Sequence, residues 1–142
     1  PKEAVHFIQM FARPFMFSAS LPPSNVATVL ACLDVIEQEP ELIQRVNDIA
    51  ARVRGELRAM GYNIGESETP IIPIIIGDMM KALEAWKVFF EAGIYTNVAL
   101  PPSVPPELSL LRTSYMATHT DEQVDRVLEV FRQVKDLIHI SG

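Results

Sequence analysis

The stretch that decides the fold is GIYTNVALPPSVPPELSLLRTSYM, residues 93–116. Two runs within it, at 94–100 and 108–116, are rich in β-branched and aromatic residues, which is typical of strands. The segment between them, PPSVPPE at 101–107, holds four prolines. Because proline lacks an amide hydrogen, this density predicts a loop. The stretch therefore predicts two strands joined by a proline-rich loop.

Helical patterns lie on both sides of this stretch. Apolar residues recur at three- and four-residue spacing near the start of the chain, before Pro40, from there to Gly61, and over 79–92, and each run predicts a helix with one buried stripe. Thr120 and Gln123 form a capping-box pattern that begins a last amphipathic helix reaching Ile138. Within the helix after Pro40, we expect ion pairs four residues apart. They are Glu41–Arg45 and Asp48–Arg52.

The segment TPIIPIII, residues 69–76, is continuously apolar and β-branched. Such a run predicts a strand covered on both faces, and its two prolines predict an edge or bulged strand. With the strands and helices in this order, the expected fold class is α+β. We expect a small, mostly antiparallel sheet packed with helices.

Composition limits the classes of function. The 142 residues are 49% apolar and 21% charged, which is enough for a packed core. A net charge of −6 does not supply the basic surface that nucleic-acid binding needs, and no apolar run approaches a transmembrane length. The single cysteine, Cys32, cannot form an internal disulfide and is expected to be a buried thiol, which suits a cytoplasmic protein. The chain opens within an apolar helical pattern, without signal-peptide features, and we expect it to continue something longer.

Three segments in register resemble the α-oxoamine synthases, a family that includes serine palmitoyltransferase and 8-amino-7-oxononanoate synthase. They are RPFMFSASLPPS at 13–24, TPIIPIIIGD at 69–78 and GIYTNVALPPSVPPELSLLRTSYMATHT at 93–120. The resemblance implies a homodimeric fold-type-I enzyme that uses pyridoxal 5'-phosphate to condense an amino acid with an acyl-CoA or acyl-carrier thioester, with decarboxylation. It makes 1–40 a segment leading from a large cofactor-binding domain and 41–142 the C-terminal α+β domain.

The resemblance also assigns residues. Arg112 matches the family arginine that holds the amino-acid carboxylate, and Ser18 and Ser20 match hydroxyl residues that reach the cofactor phosphate of the other subunit. The loop formed by Pro101, Pro102, Ser103, Val104 and Pro105 matches the mobile loop over the active site. The cofactor-bearing lysine is expected upstream, so this chain alone is expected to be inactive and to contain no catalytic residue. Some serine palmitoyltransferases carry an arginine before the loop, where Leu100 stands here.

Several alternatives stay open from the residues themselves. Arg112 could be an ordinary surface ion-pair residue, although a charge in that strand is expected to need a partner. Ser20 or Ser24 could cap the following helix. His6, His119 and His139 lack metal-ligand spacing, so no metal site is expected, and His119 is predicted to mark a strand-to-helix turn. The rival to an enzyme is a stand-alone, non-catalytic α+β module that binds a ligand or a partner chain.

Overall fold

The computed structural model describes residues 1–16 and 21–135. The chain divides into two compact units, Pro1–Glu39 and Pro40–Gly142. In the first unit the helices are α1 (Lys2–Phe11), α2 (Arg13–Met16) and α3 (Pro23–Gln38). In the second unit the elements are α4 (Pro40–Ala59), β1 (Ile71–Ile75), α5 (Met79–Glu91), β2 (Asn97–Ala99), a 3-10 turn (Pro106–Leu108), β3 (Leu110–Ser114) and α6 (Asp121–Val134).

The described residues of the first unit form helices but no buried core. Phe7 and Phe11 stack on α1 with ring centroids 4.9 Å apart, yet no residue of α1 or α3 is buried. The expectation of a buried stripe on α3 is wrong, and so is that of a buried Cys32, which is exposed. The physical reason is that α3 carries apolar residues without a packing surface in this unit to receive them.

The second unit is built on a three-stranded antiparallel sheet in the order β1-β3-β2. One face packs against α4, α5 and α6. The core joins Ile72 and Ile74 of β1 and Leu111 of β3 to Phe89 of α5 and Phe131 of α6. This arrangement confirms the predicted α+β class with a small antiparallel sheet and helices.

Strand β1 corrects one prediction and confirms another. Ile72 and Ile74 are fully buried, but Ile71 is 48% exposed, so the strand is covered on one face rather than two. Within the described residues of the second unit, helices pack on one side of the sheet, and none of these residues covers the other side of β1. As predicted, β1 is an edge strand, where Pro73 is tolerated.

Helices α4 and α6 lie side by side and are joined by ion pairs. The arginines expected to pair within α4 instead reach across to α6, because its acidic side chains lie next to them. The pairs are Arg45–Asp121 at 2.8 Å, Arg52–Asp125, and Arg132–Glu56 at 2.7 Å. Since the residue numbers rise together on both helices, the two helices run in the same direction.

The predicted helix ends are confirmed. Thr120 Oγ1 accepts a hydrogen bond from the Gln123 amide, and Gln123 Oε1 accepts one from the Thr120 amide, at 3.3 and 3.0 Å. Gly61 and Gly93 follow α4 and α5 with φ of 84° and 83°, which favours glycine at both positions. The predicted end of the last helix, Ile138, lies outside the described residues. Among the residues that are described, no helix is long and apolar enough to cross a membrane.

Candidate functional site

The side of the sheet away from the helices, here called the open face, carries the candidate site. Side chains two residues apart on a strand share a face. None of the residues on this face is buried. They are Ile71, Pro73 and Ile75 of β1, Asn97 and Ala99 of β2, and Leu110, Arg112 and Ser114 of β3.

Arg112 stands at the centre of the open face. It lies on the middle strand, directly opposite Pro73 on one side and Asn97 on the other. Its side chain is exposed, and it makes no hydrogen bond or ion pair with the residues described in the structure. The expectation that this charge needs a partner because the strand buries it is therefore wrong. The guanidinium is instead an exposed planar fork with donors available to bind an anion.

Asn97 and Tyr95 extend this polar centre, and neither was predicted as a site residue. The Tyr95 hydroxyl donates to Asn97 Oδ1 at 3.3 Å. Both side chains are exposed, and Asn97 faces Arg112 across the β2–β3 pair. The spacing of Tyr95 and Asn97, two residues apart in an extended run, could have placed them on one face. Their position beside Arg112 required the strand register.

The proline-rich loop connects β2 to β3 at one end of the open face. Its backbone turns where the Ser103 amide donates to the Leu100 carbonyl at 2.9 Å. At its far end, the Ser109 carbonyl accepts from the Ile76 and Gly77 amides, which ties the loop base to the end of β1. Since a strand rises about 3.3 Å per residue, Arg112 lies about 7 Å along β3 from Leu110, the first residue after this base. The loop stands close enough to flank a ligand at Arg112.

The serines predicted to contact a cofactor or to cap a helix have different outcomes. Ser18 and Ser20 lie outside the described residues, so their role stays a prediction. Ser24 is the second residue of α3, whose N-cap is Pro22 without a side-chain cap hydrogen bond. The expectation that Ser24 caps this helix is therefore wrong, because the prolines move the helix start one residue before it.

A second concave region lies at the other end of β3. A cavity of about 590 Å³ is lined by the Gly93–Tyr95 segment, the end of β3 and the first turns of α6. Tyr115 Oη is buried there without a hydrogen-bond partner among the described residues. Burial raises the pKa of Tyr115 to about 12, against a smaller opposing effect of the Thr113 hydroxyl, which itself donates to the Ile72 carbonyl.

The histidine beside this cavity has a structural role. His119 Nδ1 accepts from the Met116 amide at 3.2 Å, which confirms the predicted turn between β3 and α6. His139 lies outside the described residues. Within residues 1–16 and 21–135, no group of three histidine, cysteine or acidic side chains is placed to hold a metal ion.

Known proteins share both the sequence and the fold of this chain. Serine palmitoyltransferase of Bacteriovorax stolpii is 42% identical over 99% of this chain and 34% of its own length. The 8-amino-7-oxononanoate synthase of Thermoanaerobacter pseudethanolicus is 34% identical over 98% of this chain and 35% of its own. The chain thus spans about a third of the length of these relatives, and both enzymes are members of the family suggested by the three sequence segments.

Solved structures give the same result. Sphingomonas wittichii serine palmitoyltransferase superposes on 97% of this chain and 35% of its own, with a TM-score of 0.77 and 34% identity. A structure of SPT with PLP covers 96% of this chain and 35% of its own, with a TM-score of 0.79 and 31% identity. Residues 1–131 also match the sequence profile described as aminotransferase class I and II. The chain therefore belongs to the class I and II aminotransferase family.

Proposed function

We propose that this chain is the C-terminal part of a pyridoxal-phosphate-dependent acyltransferase of the serine palmitoyltransferase or 8-amino-7-oxononanoate synthase type. The intact protein condenses an amino acid with an acyl-CoA or acyl-carrier thioester, and carbon dioxide is lost. The observation that carries this proposal is the exposed guanidinium of Arg112 at the centre of the open face, which has no partner among the described residues. Nearly all of this chain, 99% and 98% of it, aligns with about a third of such enzymes.

The residues present fit such a cofactor enzyme. When bound, pyridoxal 5'-phosphate supplies an electron sink for the carbanion formed at the amino-acid α-carbon. The contribution of this chain is to orient the amino-acid substrate. Arg112 binds the substrate carboxylate through two parallel hydrogen bonds, which fixes the direction of the bonds at the α-carbon.

Two other parts of the chain complete the proposed site. Ser18 and Ser20 donate hydrogen bonds to the cofactor phosphate of the partner subunit in a homodimer. The loop of Pro101, Pro102, Ser103, Val104 and Pro105 covers the site and excludes water, and its prolines limit the entropy lost when it closes.

The proposal extends to the rest of the protein. Residues 1–40 lead from a larger domain that supplies the cofactor-bearing lysine, and 41–142 form the C-terminal domain, so this chain alone is inactive. A cytoplasmic location agrees with the free thiol of Cys32. No observation favours the alternative of a non-catalytic module, since the relatives matched over nearly the whole chain are enzymes.

Replacement of Arg112 tests the proposal in the intact protein with cofactor bound. Arg112→Ala should weaken amino-acid binding at least about tenfold, because a hydrogen bond to a charged group contributes about 1.5–3 kcal/mol. Arg112→Lys should restore binding only in part, since it keeps the charge but loses the planar fork. The measurement is a titration with L-serine and L-alanine that follows the cofactor's visible absorbance.

The matched control is Arg58→Ala, which removes an exposed arginine on α4 that makes no ion pair within the described residues. Cofactor affinity should be unchanged in every variant. If Arg112→Ala leaves amino-acid affinity and acyl-transfer rate within twofold of wild type, Arg112 is not the carboxylate-binding residue.

A further inference from the structure

The residue opposite Arg112 carries a side-chain amide that lies beside the proposed carboxylate site. Asn97 is the directly paired residue on β2, and side chains so placed have Cβ atoms about 4.5–5.5 Å apart. Arg112 offers donors only, so it cannot accept a hydrogen bond from Asn97. In the structure the two side chains form no hydrogen bond with each other.

Tyr95 determines which end of the Asn97 amide is available. Its hydroxyl donates to Asn97 Oδ1 at 3.3 Å, so the acceptor end of the amide is engaged. The Nδ2 group has no partner among the described residues, and its two N–H donors remain free. Asn97 and Arg112 therefore present free donors side by side on the open face.

The opposite side of Arg112 offers no such group. The residue paired with it on β1 is Pro73, and the neighbours of Pro73 on the same face of that strand are Ile71 and Ile75. Across the sheet from Arg112, a ligand with several acceptor sites would thus find a side-chain donor on β2 and none on the described residues of β1. A carboxylate has about four lone-pair sites, of which the arginine fork takes two, so acceptor capacity remains for Asn97.

We propose that Asn97, oriented by Tyr95, is a second binding residue for the substrate carboxylate. It donates from Nδ2 to the carboxylate held by Arg112, and Tyr95 acts as a positioning residue through Asn97 Oδ1. This inference rests on the proposed function and deepens it, because it adds a residue of β2 to the site that recognises the free carboxylate of the substrate. A substrate with a neutral carboxamide in place of the carboxylate gains less from this donor, because a hydrogen bond to a neutral oxygen is about half as strong as one to a charged oxygen.

The experiment compares amino acids with their carboxamides in the intact protein with cofactor bound. L-serine and L-alanine, and L-serinamide and L-alaninamide, are titrated while the cofactor's visible absorbance is followed. Asn97→Ala should raise the apparent Kd of the amino acids at least about tenfold, the loss of one hydrogen bond to a charged group. The Kd of the carboxamides should rise by a clearly smaller factor, about two- to fourfold, because their neutral carbonyl oxygen is a weaker acceptor.

Two further variants test the charge at position 97 and the orienting role of Tyr95. Asn97→Asp should weaken amino-acid binding more than alanine does, because its carboxylate would compete for the Arg112 guanidinium. Tyr95→Phe should weaken it about two- to threefold, since the amide keeps its donors but loses the bond that orients it. Asn47→Ala, which changes an exposed asparagine on α4, is the matched control and should bind as wild type does.

The results separate this inference from the proposed function. If Arg112→Ala abolishes the preference for amino acid over carboxamide while Asn97→Ala leaves it intact, only the role of Asn97 is overturned. If neither change affects the preference, the carboxylate site itself is wrong. Equal weakening of amino acid and carboxamide in Asn97→Ala would show a structural effect and would also overturn the inference. Asn97→Ser, with thermal unfolding measured on each variant, repeats the comparison if the alanine variant folds poorly.

Discussion

Tyr115 shows how one residue can make stability depend on pH. Its hydroxyl is buried at the end of β3 without a partner among the described residues, and burial raises the pKa of Tyr115 to about 12. In the unfolded chain a tyrosine ionises near pH 10. The neutral form is therefore favoured by the fold. The contribution of neutral Tyr115 to the free energy of unfolding is therefore complete below pH 10 and is lost as pH rises to about 12.

We predict that Tyr115→Phe removes this dependence. Wild type should lose about 2–3 kcal/mol more than the variant between pH 10 and 12, since each unit of pKa shift corresponds to about 1.4 kcal/mol. At pH 7 the variant should be at least as stable, because a buried hydroxyl without a partner costs free energy. Urea unfolding of both proteins at several pH values measures this. A loss above about 1 kcal/mol at pH 7 would mean that the hydroxyl has a partner in the intact protein.

Single residues also show what the sequence could not predict. Arg112 could be predicted as a site residue because its neighbours in the chain carry a family pattern, and its role stays a prediction. Its exposure was missed, since a strand pattern does not show which face lacks covering helices. Asn97 was missed for a related reason. Its proposed role depends on Arg112, fifteen positions away in sequence, and only the β2–β3 register brings the two residues together.

Helix ends were predictable at the scale of elements, because capping depends on residues three or four apart. The reciprocal bonds of Thr120 and Gln123 are an example. The ion pairs of the α4 arginines could not be predicted in the same way. The sequence shows acidic residues four positions away within α4, but the arginines pair with α6 because of how that helix packs. Likewise, the apolar run of β1 could not reveal that one of its faces is open.

Removal of the α6 cap should have a measurable cost. Thr120→Ala should destabilise the second unit by about 1 kcal/mol, because the Gln123 amide at the helix start loses its acceptor. Thr120→Ser keeps the side-chain oxygen and should lower the stability by only a few tenths of about 1 kcal/mol. Thermal or urea unfolding of the three proteins provides the comparison. Equal stability of the alanine and serine variants would contradict a capping role.

At the scale of the whole molecule, the two units differ in their means of stabilisation. The second unit has a continuous core that includes residues of β1, β3 and all three of its helices. No residue of α1 or α3 is buried, and helices of 10 and 16 residues are marginal in water without packing. The fold class could be predicted because it follows from element order, whereas this difference depends on which apolar faces find partners.

We therefore predict that residues 40–142 fold when expressed alone and that a peptide of residues 1–39 does not. The larger piece should show a cooperative transition in urea by circular dichroism, since it keeps the core residues of the second unit. The peptide should show little helical signal at 25 °C. A gradual, non-cooperative loss of signal from residues 40–142 would show that their core needs the preceding segment.

The strand order has a consequence for synthesis on the ribosome. The middle strand, β3, is the last of the three to be made, so neither β1 nor β2 can pair within the sheet until it emerges. At about 5–20 residues per second, the roughly 35 residues from Ile75 to Leu110 take about 2–7 seconds to add. For that time β1 is an apolar strand with both edges unpaired. Pro73 at its centre lacks an amide hydrogen and so hinders pairing with strands of other nascent chains.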